Sequence, residues 1–221
     1  MLRRGTLLVA VSVCLAAIAC GRPEKVVITK YFEAVNQQDS QTLSSFATVD
    51  LSLKHVDDWK LVRVAEENDA PAPLAELLQK QKEADAAVSA HRRAIMDYNL
   101  GHTSEVDRVT DLRRNKKPIP PALEGAAKIV DGFLEKRKEL ARVAGDAKAK
   151  VDAERQMMTM SMGKVDDDVT GTMHTSVIEL ELTVNGQKKP YNMTLRRYKV
   201  QAANGYKPMS RWVVSGLAPK A

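Results

Sequence analysis

The chain is poor in the residues that most often announce a chemistry. Only two cysteines occur in 221 residues, Cys14 and Cys20. That number excludes a disulfide framework and a thiolate zinc site. Aromatic residues make up 5%, so the core has to be built mainly from Val, Ile, Leu, Met and Ala. Charge of one sign is also lacking: 34 basic against 28 acidic side chains leave a formal +6, too small an excess to indicate nucleic acid, and none is expected as a partner. There is no Gly-rich phosphate loop, no nucleophile elbow and no His-Glu-x-x-His pattern. Nor is there an apolar run of about 20 residues, the length a membrane-spanning helix needs. What is present is ordinary globular material, 44% hydrophobic and 28% charged, which excludes a disordered or collagen-like chain.

The first residues carry the pattern of an export signal. Arg3 and Arg4 give a positive start, and Thr6 to Ile18 is an apolar run of 13 residues. Small residues follow, and Gly21-Arg22-Pro23 ends the run. Ala17-Ile18-Ala19-Cys20 resembles the lipobox of bacterial lipoproteins, with Ala17 where that family usually has Leu. The resemblance implies cleavage before Cys20, a diacylglycerol on its sulfur and acylation of the freed amine. One acyl chain anchors marginally and two or more anchor stably, so lipidated Cys20 implies a membrane partner without a spanning helix. Gly21, rather than Asp, is similar to the sorting pattern for the outer membrane, facing the periplasm. Loss of Arg3 and Arg4 with the signal lowers the formal charge from +6 to +4.

Beyond the signal, Pro23 suits a first helical turn. Val27, Tyr31 and Val35, with Ile28 and Phe32 beside them, make an apolar stripe to about Gln37. Asp39 or Ser40 is set to cap a short second helix carrying Leu43 and Phe46. Trp59 to Glu66 reads as a strand ended by Asn68-Asp69 and two prolines. The next ninety residues change character. Pro71 to Asn99 and Pro121 to about Met158 are helical stretches of ~40 and ~55 Å, joined by a connector with a short helix from Thr103 to Arg114. They are expected to form an antiparallel hairpin, with Gly125, Gly132 and Gly145 allowing close approach or bending.

The last third alternates with period two. Ile178, Leu180, Leu182 and Val184 lead into Asn185-Gly186, a favoured two-residue hairpin turn. That turn sets Val184 opposite Gln187, Leu180 opposite Tyr191 and Ile178 opposite Met193. A second turn at Asn204-Gly205 sets Leu195 opposite Val214, Arg197 opposite Trp212 and Met193 opposite Gly216. Both turns place Ile178, Leu180, Tyr191, Met193, Leu195, Trp212 and Val214 on one face. Pro208 delays the last strand to about Ser210.

Tyr31-Phe-Glu-Ala34, Asp39, Leu43, Ile178–Val184, Tyr191–Val200 and Arg211-Trp-Val-Val-Ser-Gly-Leu217 together resemble the NTF2-like (cystatin-like α+β) superfamily, over residues 23–68 and 165–218. The resemblance implies N-terminal helices on a curved antiparallel sheet, here interrupted by the long helical hairpin. The expected organisation is a signal peptide at 1–19, an N-terminal part at 20–70, the hairpin insertion at 71–160 and a closing β-meander at 161–221.

Candidates for chemistry are sparse. Family enzymes pair an Asp base with Tyr or Asp donors, and Asp57, Asp58, Tyr31, Tyr191 and Tyr198 are available, but no spacing singles out a pair. His55, His91, His102 and His174 are scattered, and His91 before two arginines reads as a helix-surface residue. Met157, Met158, Met160 and Met162, with Met173-His174, could hold soft Cu(I), but flexible thioethers filling gaps are the simpler reading. Arg113, Arg114, Lys116 and Lys117 form a basic cluster suited to an acidic partner or anionic headgroups. The bland reading prevails, because residues 71–160 hold 17 basic and 14 acidic side chains. Asp166–Asp168 read as a loop, since three consecutive acids do not match a calcium loop. No catalytic, cofactor or metal residue is assigned. The expected function is a non-enzymatic, lipid-anchored envelope protein whose hairpin contacts a protein partner. The alternative is a pocket protein for a small apolar ligand.

Overall fold

The computed structural model describes residues 22–49, 55–164, 169–201, 205, 207 and 210–220. The signal, Cys20, Asp166–Asp168 and Asn204 lie outside the described residues. In chain order come α1 (Pro23–Asn36), α2 (Ser40–Ser44), β1 (Asp58–Pro71), α3 (Leu74–Gly101), α4 (Thr103–Arg114), a 3-10 turn (Pro121–Leu123), α5 (Glu124–Met162), β2 (Thr170–Val184), β3 (Gln187–Gln201) and β4 (Val213–Pro219). The fold is mixed α and β, with one antiparallel four-stranded sheet in the order β1-β2-β3-β4.

Two units arise from the contacts. One combines the residues up to Ala72 with those from Gln156 onward, and the other is Pro73–Arg155. The last turns of α5 therefore belong with the sheet. Ser161 Oγ donates to the Arg211 carbonyl at 2.7 Å, and Arg211 Nε donates to the Met160 carbonyl at 2.6 Å.

In the sheet unit α1 begins with Pro23, where no N–H is needed. Its stripe buries Ile28, Tyr31, Phe32, Ala34 and Val35. Asp39 caps α2 by accepting from Thr42 N at 2.9 Å. The stripe joins Phe46, Val56, Ile178, Leu180, Leu182, Met193, Leu195, Trp212 and Val214 in one core cluster. Tyr31 meets Phe32 and Phe46 edge-on, and Phe32 stacks on Trp59 at 5.7 Å. All seven residues expected on one face lie in this cluster. Burying each large aliphatic side chain contributes about 1.5–3 kcal/mol, so this face is the main stabilising surface of the unit.

The Asn185-Gly186 turn sets the expected register: Val184 faces Gln187, Leu180 faces Tyr191 and Ile178 faces Met193. Asn185 and Gly186 both have positive φ, 51° and 72°, as that turn type requires. The β3–β4 register holds at one end only. Leu195 faces Val214, but Thr194 rather than Met193 faces Gly216, and Met193 faces Leu217. An extra residue, Ser215, bulges between them, its Oγ donating to the Thr194 carbonyl at 3.2 Å. Strand β4 begins at Val213, three residues later than expected.

Strand β1 also departs from expectation. It does not end at Glu66 but runs through Asn68-Asp69 to Pro71. As an edge strand it tolerates a terminal proline, whose missing N–H costs no ladder bond. Two bulges, at Val62 and Ala65, interrupt its pairing with β2. Among the described residues no helix is long and apolar enough to cross a membrane.

Candidate functional site

The helical unit presents the most unpartnered apolar surface. Among the described residues seven large hydrophobic side chains are exposed, and five of them (Met96, Leu100, Ile129, Leu134 and Val143) lie in Pro73–Arg155. Helix α3 buries only Leu74 and Ala84 along 28 residues. Helices α3 and α5 meet where His91 and Tyr98 both pack edge-on to Phe133, at 5.7 and 5.5 Å. Two open grooves lie along α3 and α5. One of ≈420 Å³ is lined by Leu77, Ala84, Val143 and Ala147, and one of ≈340 Å³ by Val88, Ile95, Met96 and Leu140. Charged side chains share the linings, Lys80, Glu83, Asp146 and Lys150 in the first and Arg92 and Arg137 in the second. Such a surface suits a protein contact, in which an apolar centre is ringed by polar groups.

The structure corrects two readings of these helices. His91 is half-buried rather than a free surface residue. Its Nε2 donates to the Phe133 carbonyl of α5 at 3.0 Å. Gly125, Gly132 and Gly145 do not serve close approach, because a Cβ at any of them would meet nothing within 4 Å.

The basic cluster is partly consumed in holding α4 to α5. Arg113 pairs with Asp131 at 2.8 Å and donates to the Ala127 carbonyl at 3.1 Å. Beneath it Val109, Leu123, Ala126 and Ala127 form a small core. Arg114 faces Asp111 at 3.5 Å on an exposed surface.

The carboxylates considered for acid–base work are engaged elsewhere. Asp57 Oδ2 accepts from Gly186 N at 2.9 Å, fastening the β2–β3 turn, and its other oxygen lies 3.5 Å from His55. Asp58 Oδ1 accepts from Trp59 N at 2.8 Å. Tyr31 and Tyr191 share the core cluster, whereas Tyr198 alternates with Leu195 and Arg197 and so faces the other side of β3. His102 stacks on Tyr98 at 4.3 Å. Met158 and Met160 are buried, and Arg196 donates to Met157 Sδ at 3.6 Å. Met173 and His174 point to opposite faces of β2, as neighbours in a strand must. Among the described residues no group of three His, Cys, Asp or Glu stands ready for a metal ion.

A row of side chains crosses the sheet at the end of the apolar core. Asp69, His174 and Arg197 are consecutive cross-strand partners on β1, β2 and β3. His174 Nδ1 lies 2.6 Å from Asp69 Oδ1. The Arg197 guanidinium sits 4.6 Å over the Trp212 ring, and the His174 ring is 5.3 Å from the same indole. The His174 hydrogen bond, aided by Lys199 and Arg197, holds the Asp69 carboxyl below the usual carboxylate range. One row inward, Ser176 is fully buried. The sequence reading did not assemble this row, although both turn registers already set His174 opposite Arg197 and Arg197 opposite Trp212.

Comparison with protein-family models, with curated proteins and with solved structures finds no match to this chain.

Proposed function

We propose that this protein is a non-enzymatic, lipid-anchored component of a bacterial cell envelope that offers Pro73–Arg155 to a protein partner. In this reading α3 and α5 form an antiparallel helical hairpin inserted into an NTF2-like body, and Cys20 carries the lipid at the outer membrane, facing the periplasm. The observation that carries it is the concentration of exposed Met96, Leu100, Ile129, Leu134 and Val143 on the helical unit. Together with the two grooves between α3 and α5, this exposed apolar surface supports a protein contact. The packing of the sheet unit favours contact over a pocket for an apolar ligand. Tyr31, Phe32, Ile178, Met193 and Trp212, which would line such a pocket, sit in one cluster with none more than 4% exposed.

The anchor is tested by intact-mass analysis of the protein purified from its native envelope. The expected product begins at Cys20 and carries the mass of the acyl chains. An unmodified thiol at Cys20, or a retained leader, would overturn the tether.

A further inference from the structure

The two grooves along α3 and α5 differ in charge. The larger is balanced, with Lys80 and Lys150 against Glu83 and Asp146. The smaller, of ≈340 Å³, sets Arg92 of α3 and Arg137 of α5 among Val88, Ile95, Met96 and Leu140, and no carboxylate lines it. His91, the remaining polar side chain of that lining, is tied to the Phe133 carbonyl.

The sequence explains why these two arginines stay unneutralised. On a helix a cation is paired by an acid three or four residues away, and α5 does this repeatedly. Lys136 meets Glu139, Lys138 meets Glu135, Arg142 meets Asp146 and Lys148 meets Asp152. Arg137 instead has Phe133, Leu134, Leu140 and Ala141 at those spacings, and Arg92 has Val88, Ser89, Ile95 and Met96. Both arginines are exposed, and neither forms an ion pair or hydrogen bond among the described residues. An unpaired cation on each helix, with apolar side chains lining the space they share, is complementary to a segment with apolar anchors and flanking carboxylates. A groove along two helices receives the apolar face of a third. A small ligand suits it less, because such sites bury most of their ligand and Met96 is 58% exposed.

We propose that the groove lined by Arg92 and Arg137 receives an acidic amphipathic helix of a separate protein. Its apolar residues, at three- and four-residue spacing, rest on Val88, Ile95, Met96 and Leu140. Carboxylates on its flanks meet the two guanidiniums, whose parallel N–H groups match a carboxylate in two-point contact. The balanced groove adds contact without selecting charge. This inference rests on the helical unit being the partner surface and adds the chemistry of the partner.

The test is photo-crosslinking of the full chain in its native envelope, from a photoreactive residue at Met96, with the captured peptide sequenced by mass spectrometry. The expected peptide carries Asp or Glu beside apolar residues spaced by three and four. Arg92→Glu with Arg137→Glu should lower the crosslinked yield about tenfold or more, since like charges then face each other. Added salt should lower it in the unsubstituted chain, and Lys150→Glu, in the balanced groove, should leave it unchanged. If the double reversal lowers the melting temperature, Arg92→Gln with Arg137→Gln replaces it and should reduce the yield several-fold. A basic or uncharged captured peptide, a second copy of this chain as the captured protein, a yield indifferent to both arginine pairs, or an equal loss with Lys150→Glu would overturn the acidic helix and leave the helical unit a contact surface. No product from Met96 while Val143 captures a protein would do the same. No product from any helical position would remove the contact surface itself, and the acidic helix with it.

Discussion

Asn36 closes the junction between α1 and the chain that leads into β1. Its Nδ2 donates to the Val56 carbonyl and its Oδ1 accepts from Val56 N, both at 2.8 Å. The side chain thus pairs both polar backbone groups of a residue that is 1% exposed. Asn36→Ala leaves both groups unpaired, and a loss of about 1–3 kcal/mol is expected in denaturant unfolding. Glu179 gives a pH test. Hydrogen bonds from Arg63 and Lys220, at 2.6 and 2.9 Å, hold its carboxyl down to about 2. A depressed carboxylate stabilises the fold above its unfolded pKa of about 4.3, and that contribution is lost as pH falls through the folded value. Thermal melts between about pH 4.5 and 2 should therefore fall less steeply for Glu179→Gln than for the unsubstituted chain. A parallel decline of the two would show that the pair contributes nothing. At this scale much was legible: Pro23, the Asp39 cap and the Asn185-Gly186 turn follow from local backbone chemistry. Asn36 was not, because its partner lies 20 residues away and no spacing marks it.

Among elements, β2 and β3 are the most legible, since one turn fixes fifteen cross-strand pairs from Thr170–Gln201 to Val184–Gln187. Gly171 near the far end is a strong constraint. Its φ is +153°, and a Cβ there would lie 2.2 Å from the Lys199 carbonyl oxygen and 2.6 Å from Val200 Cα. Both obstacles are backbone, so Gly171→Ala should lower the melting temperature sharply and expose the amides of that end to hydrogen exchange. Gly132 in α5 is the opposite case. A Cβ there meets nothing within 4 Å, and Gly132→Ala should stabilise the chain by about 0.5–1 kcal/mol through helix propensity. A destabilised Gly132→Ala would show that α5 needs the glycine. Bulges were the illegible part. No residue type marks Val62, Ala65 or Ser215 as a bulge, because a bulge is decided by cross-strand fit rather than by residue type. That is why Asp69 read as part of a turn and not as the partner of His174.

The whole molecule divides its labour between two units with different surfaces. The sheet unit spends its apolar residues on a core, where Ile178, Leu182 and Met193 are fully buried. The helical unit keeps several of its own in solvent, and α3 in particular buries little. Helical periodicity foretold α3, α4 and α5. What periodicity does not reveal is which apolar positions stay uncovered. Met96 and Leu100 read like any other core-facing residues until neighbouring elements are seen to leave them exposed. In the proposed reading, a lipid at Cys20 would confine the body to a surface and the uncovered helices would supply the contact.

The most direct measurement is site-specific photo-crosslinking in the native envelope. A photoreactive residue is placed in turn at Met96, Leu100, Leu134 and Val143, and at Thr183 and Lys188 on the sheet unit as comparison positions. The account requires one common crosslinked protein from the helical positions and none of it from the sheet positions. No product from the helices, or the same product at equal yield from both units, would contradict it.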